Sequence, residues 1–183
     1  MTHSLSLNKN KQKGIGLTEV LVATLLLGIG VIGFSGLQVR AIGATNDSAF
    51  RMQAMAVARD AAERMRVNNS AAAMAVYLPA TPVAWVSTPA NSNLCIGTVV
   101  APCTPASMAT FDKSEIAALA LAALPNGQVS VATCPNRTNR CVYVSWNTTT
   151  PTIGDAVPNC STTSGVYVGA TLPNSTDCVI SET

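Results

Sequence analysis

The dipeptide Gly14-Ile15 has the features of a proteolytic processing site. It follows three lysines, Lys9, Lys11 and Lys13, and it precedes a long apolar run. In a secretory signal peptide, the small-residue cleavage site comes after the apolar region. Here the order is reversed, so hydrolysis after Gly14 would leave the apolar run on the mature chain. The amine of Ile15 would then become the new N-terminus.

A single carboxylate, Glu19, stands at the start of the apolar run. The twenty residues that follow it, 20–39, carry no charge. A helix needs about 20 apolar residues to cross a bilayer core of roughly 30 Å. A carboxylate inside such a core costs roughly 3 kcal/mol. Its position alone favours an interfacial residue whose carboxylate reaches the headgroups.

The order of these parts resembles the leader of type IV prepilins, which has basic residues, a glycine, an apolar residue and then a glutamate. Cutting after Gly14 makes Glu19 the fifth residue of the mature chain, whereas cutting after Gly16 makes it the third and does not fit. The resemblance implies that a prepilin peptidase cuts before Ile15 and that Ile15 is N-methylated. It also implies that Glu19 pairs with the N-terminal amine of a neighbouring subunit. Many pilins carry a proline in the apolar helix, and this chain departs from them because it has none there.

Six cysteines lie beyond the apolar run, and their even number favours disulfides in an oxidising compartment. Pairing of sequence neighbours is favoured because each such pair brackets a loop or a hairpin. A zinc site is disfavoured, since no C-x-x-C is present and the only histidine, His3, lies in the leader. The mature chain therefore also lacks a histidine that could activate a catalytic thiol. The predicted pairs are Cys95–Cys103, Cys134–Cys141 and Cys160–Cys178.

The distribution of charge predicts the topology. Without residues 1–14, interpreted as a removable leader peptide, the chain carries eight basic and nine acidic residues. This balance offers no electrostatic reason to expect nucleic acid or anionic lipid as a partner. Basic residues beside a membrane helix stay in the cytoplasm. We therefore expect a single-pass membrane anchor with a cytoplasmic N-terminus and the part beyond Arg40 on the other side of the membrane. The prepilin resemblance implies that the membrane is the bacterial inner membrane, that the part beyond Arg40 is periplasmic, and that the chain later resides in the pilus filament.

Residues 15 to about 68 are predicted to form one helix with two different halves. Residues 15–40 are apolar all round, as a membrane or an assembly of helices requires. Residues 41–68 are amphipathic, with an apolar stripe at spacings of three and four, and Asp60 and Arg64 are placed to pair at i, i+4. The stripe is Phe50, Ala54, Val57, Ala61 and Met65, and the arginines interpreted as a solvated face are Arg59, Arg64 and Arg66.

Residues 69–183 are predicted to form a small periplasmic domain. A short helix is expected at 71–77, and a second is expected at 113–124, where Asp112 has the position of a capping residue. Trp85 is expected to pack on this domain.

Alternation of apolar and polar residues predicts an antiparallel hairpin with strands at 128–133 and 140–146. Its apolar face is expected to lie against the long helix. Further short strands are expected at Val166, Val168 and 178–180, and a loop is expected at 147–165.

The whole pattern resembles the PilV-like minor pilins of type IV pili. It combines a long N-terminal helix, a loop, a short Leu/Ala helix that ends in Pro-x-Gly, and a hairpin whose second strand reads Val-Tyr-Val-Ser-Trp. The resemblance implies an α+β, pilin-like fold in which the helix packs on a small antiparallel β-sheet domain with disulfide loops. It also implies a structural minor pilin without cofactor or metal, placed in the tip or initiation complex. The implied partners are the major pilin, other minor pilins, the prepilin peptidase and the inner-membrane pilus assembly platform.

Three alternatives are open. A minor pseudopilin of a type II secretion system shares the leader and the helix. A tip module that binds DNA or surfaces would use Arg137 and Arg140 beside the hairpin turn. Tyr143 and Trp146 would supply the stacking that single strands require, although a solvated turn and a packed strand explain these four residues equally well. An enzyme is disfavoured, since the mature chain has no histidine and no phosphate-binding loop.

Overall fold

The computed structural model describes residues 14, 16–87, 95, 103–156, 158–166 and 177–183. The chain divides into two units, 1–45 and 46–183. Its long N-terminal helix, small antiparallel sheet and disulfides confirm the predicted α+β, pilin-like fold. In chain order the elements are α1 (Leu17–Val67), α2 (Ala71–Tyr77), α3 (Pro105–Ala123), β1 (Gln128–Thr133), β2 (Arg140–Ser145), β3 (Thr150–Ile153), β4 (Asn159–Ser161) and β5 (Cys178–Glu182).

The first helix, α1, confirms the prediction of one long N-terminal helix. Every described residue from 16 to 48 is exposed. Beyond residue 48 the small and apolar residues recur at helical spacing, and they form the predicted stripe on one face. The predicted members Ala54, Val57, Ala61 and Met65 are buried, Phe50 packs against them, and the structure adds Ala58 to this face.

The main sheet has three antiparallel strands in the order β1-β2-β5. The β1–β2 hairpin confirms the predicted pair of strands, with Gln128 opposite Ser145 and Thr133 opposite Arg140. Successive residues of a strand face opposite sides, and both sides of this sheet are buried. One side shares a core with the α1 stripe through Val129, Val131, Val142 and Val144, as predicted, and the other contains Tyr143, Cys160 and Cys178.

The segment between β2 and β5 was expected to be loop at 147–165, and this is wrong. It contains β3 and β4, which pair in parallel. The β3 segment lies beside the main sheet, where the buried hydroxyl of Ser130 donates to the carbonyl of Pro151. Pro and Asn are depleted in strands, so in this segment tertiary packing outweighs their local preference. Of the other predicted strands, 178–180 is confirmed and extends to Glu182, Val166 lies outside any strand, and Val168 lies outside the described residues.

The third helix, α3, begins eight residues before the predicted start at 113. Its N-cap is Thr104, whose side chain accepts from the backbone N–H of Ser107, and Pro105 occupies the first turn. A hydroxyl cap followed by proline is a strong helix start because proline lacks the N–H that would be unpaired there. Asp112 is therefore not a cap but a residue inside the helix. The short helix α2 is confirmed at 71–77, where the side chain of Ser70 caps it.

The strand β2 runs opposite to α1 within unit 46–183. Arg51, early in this part of α1, lies 5.8 Å from the ring centroid of Trp146, which follows β2. Arg66, at the end of α1, lines a groove together with Arg140, which begins β2. We call the end with Arg51 and Trp146 the near end, because the chain enters the unit there. The end with Arg66 and Arg140 is the far end.

Candidate functional site

The predicted processing site is described only at Gly14. That residue is exposed, and a Cβ added to it would meet no atom within 4 Å. Ile15, the predicted first residue of the mature chain and predicted N-methylation site, lies outside the described residues. Cleavage and methylation therefore stay predictions.

The carboxylate of Glu19 lies in the first turn of α1, fully in the exposed part of the helix. The backbone N–H of Glu19 donates to the carbonyl of Gly16 at 3.0 Å. Its side chain has no hydrogen-bond or ion-pair partner among the described residues. The partial positive charge at a helix N-terminus favours a carboxylate in this position. Glu19 thus stands at the start of an apolar surface without a partner among the described residues, and it shares a shallow groove with Val20, Ala23, Thr24 and Leu27.

Within the apolar surface that follows Glu19, side-chain hydroxyls are hydrogen-bonded to carbonyls of the same helix. Thr24 donates to the carbonyl of Val20 at 3.0 Å, and Ser35 donates to the carbonyl of Val31 at 2.8 Å. Hydroxyls that bond to their own helix can enter an apolar medium without losing a hydrogen bond. Four glycines, at 28, 30, 33 and 36, would each meet nothing within 4 Å if they carried a Cβ. Such bare backbone lets another helix approach closely.

By length and composition, the helix Leu17–Val67 is able to cross a membrane. Its most apolar window has a mean hydropathy of 2.3. The side chains of this window are not buried within the chain. They therefore need a covering from other molecules, either lipid or protein.

A polar cluster inside unit 46–183 joins α1, α2 and α3. The guanidinium of Arg64 donates to Asp60 at 3.2 Å and to Asp112 at 3.0 Å. The hydroxyl of Tyr77 donates to the other oxygen of Asp112, which is only 6% exposed. The Asp60–Arg64 pair was predicted, but the interpretation of Arg64 as solvated is wrong, whereas Arg59 and Arg66 are exposed as expected.

Both partners of Asp112 hold their protons tightly. Burial lowers the pKa of Arg64, but its hydrogen bonds to Asp60 and Asp112 outweigh this and raise the pKa above its ordinary value. Burial, followed by the hydrogen bond to Asp112, raises the pKa of Tyr77. The cluster therefore consists of two carboxylates, Asp60 and Asp112, and two fixed donors, an arrangement that locks three helices together.

The signal for this cluster in the sequence is weak. Asp112 lies four residues before Ile116 and eight before Ala120, and both of these are fully buried. Once α3 is extended back to Pro105, this spacing places a carboxylate on the buried face of the helix. A buried carboxylate needs a partner, but the spacing does not reveal that Arg64 is the partner.

A second contact, from Lys113, fastens both α2 and the segment after it to α3. The ammonium of Lys113 donates to the carbonyl of Val76 at 3.1 Å and lies 5.9 Å from the ring centroid of Trp85. Burial lowers the pKa of Lys113. Trp85 is 5% exposed, so the prediction that it packs on the domain is confirmed.

The six cysteines form three disulfides, and the pairs are the sequence neighbours that the sequence predicts. Cys134–Cys141 closes the hairpin with Cα atoms 5.0 Å apart. Cys160–Cys178 joins β4 to β5 with a Cα separation of 5.8 Å, and Cys95–Cys103 lies just before α3 with a separation of 5.4 Å. In the part of the chain that the structure describes, no group of three His, Cys, Asp or Glu side chains is placed to hold a metal ion.

The residues predicted for a nucleic-acid module are not arranged as a stacking surface. Tyr143 and Trp146 are fully buried, so neither ring can stack on a base. Arg137 forms an ion pair with Glu182 at 2.6 Å. Arg137 and Tyr143 line the same cavity, but the ring of Tyr143 is fully buried and offers no stacking face.

Comparison with known proteins agrees with the fold. The family model described as type IV pilin Tt1218 matches residues 36–114, which include the second half of α1, all of α2 and the start of α3. No curated protein and no solved structure matches the chain. The long helix with its small disulfide-linked sheet defines a pilin-like α+β protein. The family match then supports a type IV pilin, similar over those residues to Tt1218.

Proposed function

We propose that this chain is a PilV-like minor pilin that assembles into a type IV pilus, in the tip or initiation complex. The match of residues 36–114 to a type IV pilin carries this proposal. The alternative is a minor pseudopilin of a type II secretion system, which shares the leader and the helix. Pilins are structural proteins, so the proposed role requires no catalytic residue or cofactor.

Assembly would begin with removal of residues 1–14 by a prepilin peptidase. The new amine of Ile15 would be N-methylated and would pair with Glu19 of a neighbouring subunit. The position of Glu19 in the first turn of α1, without a partner among the described residues, supports this role. An ion pair inside an apolar assembly is favourable because it neutralises two charges that would otherwise be costly there.

The exposed apolar half of α1 would serve first as a membrane anchor and then as the assembly surface. In this proposal, residues 15–40 are the transmembrane and assembly half, 41–68 are the amphipathic half, and 69–183 are the periplasmic domain. The inner membrane holds the subunit, with its N-terminus in the cytoplasm, until the assembly platform transfers it to major and other minor pilins. Packing between helices would replace packing against lipid.

Intact-mass measurement on protein from pilus-producing cells tests this proposal. We expect the mass of residues 15–183 with three disulfides and one added methyl group. Sheared pili should contain the chain at a small fraction of the abundance of the major pilin. An uncleaved chain, a different N-terminal residue, or absence from sheared pili would contradict the proposal.

Neighbouring genes offer a separate test of the pilus against the secretion system. Genes for other pilus-tip subunits next to this one are expected. Genes for secretion-system components in their place would favour the pseudopilin alternative.

A further inference from the structure

A pocket of about 250 Å³ opens between α2, α3 and residues 83–86. The residues of α3 that line it are Thr110 and Lys113. Val83 and Val86 also line it, and their side chains are 52% and 69% exposed. The pocket therefore has apolar surface that another molecule can cover. We call this feature the Lys113 pocket.

The lining of the Lys113 pocket contains a cation and no acid. All lining residues other than Lys113 belong to the stretch 67–111, which has no charged side chain. Lys113 forms no ion pair with any described residue. An ammonium has three donors, and the hydrogen bond to the carbonyl of Val76 uses one of them. The pocket therefore has a charge and donors to offer to an anion.

The acids closest to Lys113 in the sequence do not balance its charge. Asp112 is bound by Arg64 and Tyr77. Glu115 is exposed and lies two residues further along α3, and residues at this spacing do not face each other on a helix. Burial lowers the pKa of Lys113, as expected for an ammonium without a carboxylate beside it.

Trp85 adds a second donor to the wall of the Lys113 pocket. Its side chain is 5% exposed, and its indole N–H has no hydrogen-bond acceptor among the described residues. A buried donor without an acceptor is unfavourable. The pocket thus combines apolar surface with two donors and lacks an acid of its own.

We propose that the Lys113 pocket binds an acidic side chain of another pilin subunit, together with an apolar side chain next to it. The carboxylate pairs with Lys113, and the apolar side chain packs on Val83 and Val86. This inference rests on the proposed function, because it names a contact between the periplasmic domain of a minor pilin and a further subunit.

The size and charge of the Lys113 pocket favour a protein side chain as its occupant. Pockets for small ligands usually measure about 300–1,000 Å³, and this pocket is smaller. It holds about eight volumes of the size that a water molecule occupies in the liquid, close to the space that a Glu and a neighbouring Leu side chain fill. A single ammonium among apolar residues also lacks the row of cations that binds a phosphate backbone.

Chemical cross-linking can identify the occupant, because Lys113 is the only lysine beyond residue 14. A carbodiimide joins an amine to a carboxylate that lies in contact with it. After treatment of sheared pili, mass spectrometry should find the peptide that contains Lys113 joined to an Asp or Glu of a different pilin subunit. Lys113→Gln should abolish this product. Lys113 found only unmodified, or joined only to an acid of its own chain, would overturn the proposal.

Binding of a synthetic peptide to the full chain in micelles of an uncharged detergent measures the strength of the contact. The probe is the fluorescent pentapeptide Gly-Leu-Glu-Leu-Gly with an amidated C-terminus, followed by anisotropy, and Gly-Leu-Gln-Leu-Gly is its uncharged counterpart. We expect Lys113→Gln to weaken binding of the acidic peptide about tenfold. Arg59→Gln, at an exposed arginine of α1 outside the pocket, should change binding less than about twofold.

A second variant separates loss of the contact from loss of the fold. Val86→Glu places a carboxylate beside the pocket, where it should compete with the acidic peptide for Lys113. Val67→Glu is the matched control, since Val67 is 85% exposed and does not line the pocket. Near-ultraviolet circular dichroism checks that each variant is folded. Equal binding of the acidic peptide by the wild type, Lys113→Gln and Val86→Glu would contradict the proposal.

Hexanoate supplies the competing outcome, as a free aliphatic carboxylate. Tighter binding of hexanoate than of the acidic peptide, with the same dependence on Lys113, would replace the proposal with a small-molecule site. The peptide assay needs neither cleavage nor filament assembly. Failure of the proposed minor-pilin function would therefore appear in the mature mass and as absence from sheared pili. Failure of the Lys113 pocket would leave the chain in pili, with Lys113 not joined to another subunit and the peptide unbound.

Discussion

The two parts of α1 differ in whether their side chains find partners within the chain. Up to residue 48 every described side chain is exposed, and Glu19 has no partner among the described residues. In the second part, Arg64 binds two carboxylates and a stripe of small side chains is buried against the sheet. The first part depends on other molecules for its contacts, and the second completes them within its own chain. Substitutions in the first part should therefore affect assembly, and those in the second should affect stability.

Among substitutions in the first part of α1, Glu19→Ala should have the largest effect on assembly. It should permit cleavage but reduce incorporation into pili at least about tenfold, or impair methylation, because the amine of a neighbouring Ile15 would lose its counter-charge. Immunoblots of sheared pili and mass spectrometry measure these effects. Glu63→Ala is the control, since it removes only an exposed pair with Arg66, a type worth up to about 1 kcal/mol. Normal incorporation and full methylation of Glu19→Ala would contradict its assigned role.

The largest stability effect should come from removing Cys160–Cys178 by changing both cysteines to Ser. This disulfide joins β4 to β5 across 18 residues of sequence. Its loss should lower the free energy of unfolding by roughly 3 kcal/mol. Urea unfolding of the full chain in micelles measures it through Trp85 and Trp146, the two tryptophans, both of which lie in unit 46–183.

Removal of the hairpin disulfide provides the comparison. Cys134–Cys141 spans only 7 residues, and its loop also has a backbone hydrogen bond from Cys134 to Asn139. Its loss should cost about 1 kcal/mol less than loss of Cys160–Cys178. An equal or larger loss of stability would show that loop length does not determine how much these disulfides stabilise the fold. Neither double variant should alter processing after Gly14.

Asp112→Ala should lower the free energy of unfolding by about 2 kcal/mol. It leaves Arg64 with one carboxylate, and it leaves the buried hydroxyl of Tyr77 without its acceptor. The same urea titration measures the change. Glu115→Ala, an exposed carboxylate on the same helix, should stay within about 0.5 kcal/mol of wild type. Equal effects of the two substitutions would exclude the cluster as a stabilising contact.

The smallest effect should appear at high pH. Burial and the bond to Asp112 raise the pKa of Tyr77, so the folded chain keeps a proton that the unfolded chain releases near pH 10. The stabilisation is fully present below about pH 10 and is lost as the pH rises further. The lowered pKa of Lys113 acts in the opposite direction, but it is common to wild type and Tyr77→Phe.

Urea titrations of the wild type and Tyr77→Phe at pH 8, 10 and 11 therefore isolate the contribution of Tyr77 ionisation to the loss of stability. The wild type should lose more stability than Tyr77→Phe between the two higher values. Parallel losses in the two proteins would show that another group titrates there.

Local patterns predicted much of this fold because the responsible forces act over a few residues. The charge-free run of 20–39 predicts a helix that needs an apolar environment, and the helix is observed. Alternation predicts the β1–β2 hairpin, and helical spacing predicts the stripe from Ala54 to Met65. The cysteine pairs are close in sequence, so their pairing is also a local matter.

The sequence by itself therefore determined the exposed helix with Glu19, the hairpin and the neighbour disulfides. Tertiary structure alone decided the placement of Asp112 against Arg64 and Tyr77, 48 and 35 residues away. It also decided the pairing of β3 with β4 and the groove between Arg66 and Arg140. The physical reason is that burial cost and hydrogen-bond satisfaction depend on which distant segments meet. The residues next to Asp112 in the sequence predict that it caps a helix. In the structure it is a buried carboxylate, because Arg64 from another helix lies beside it.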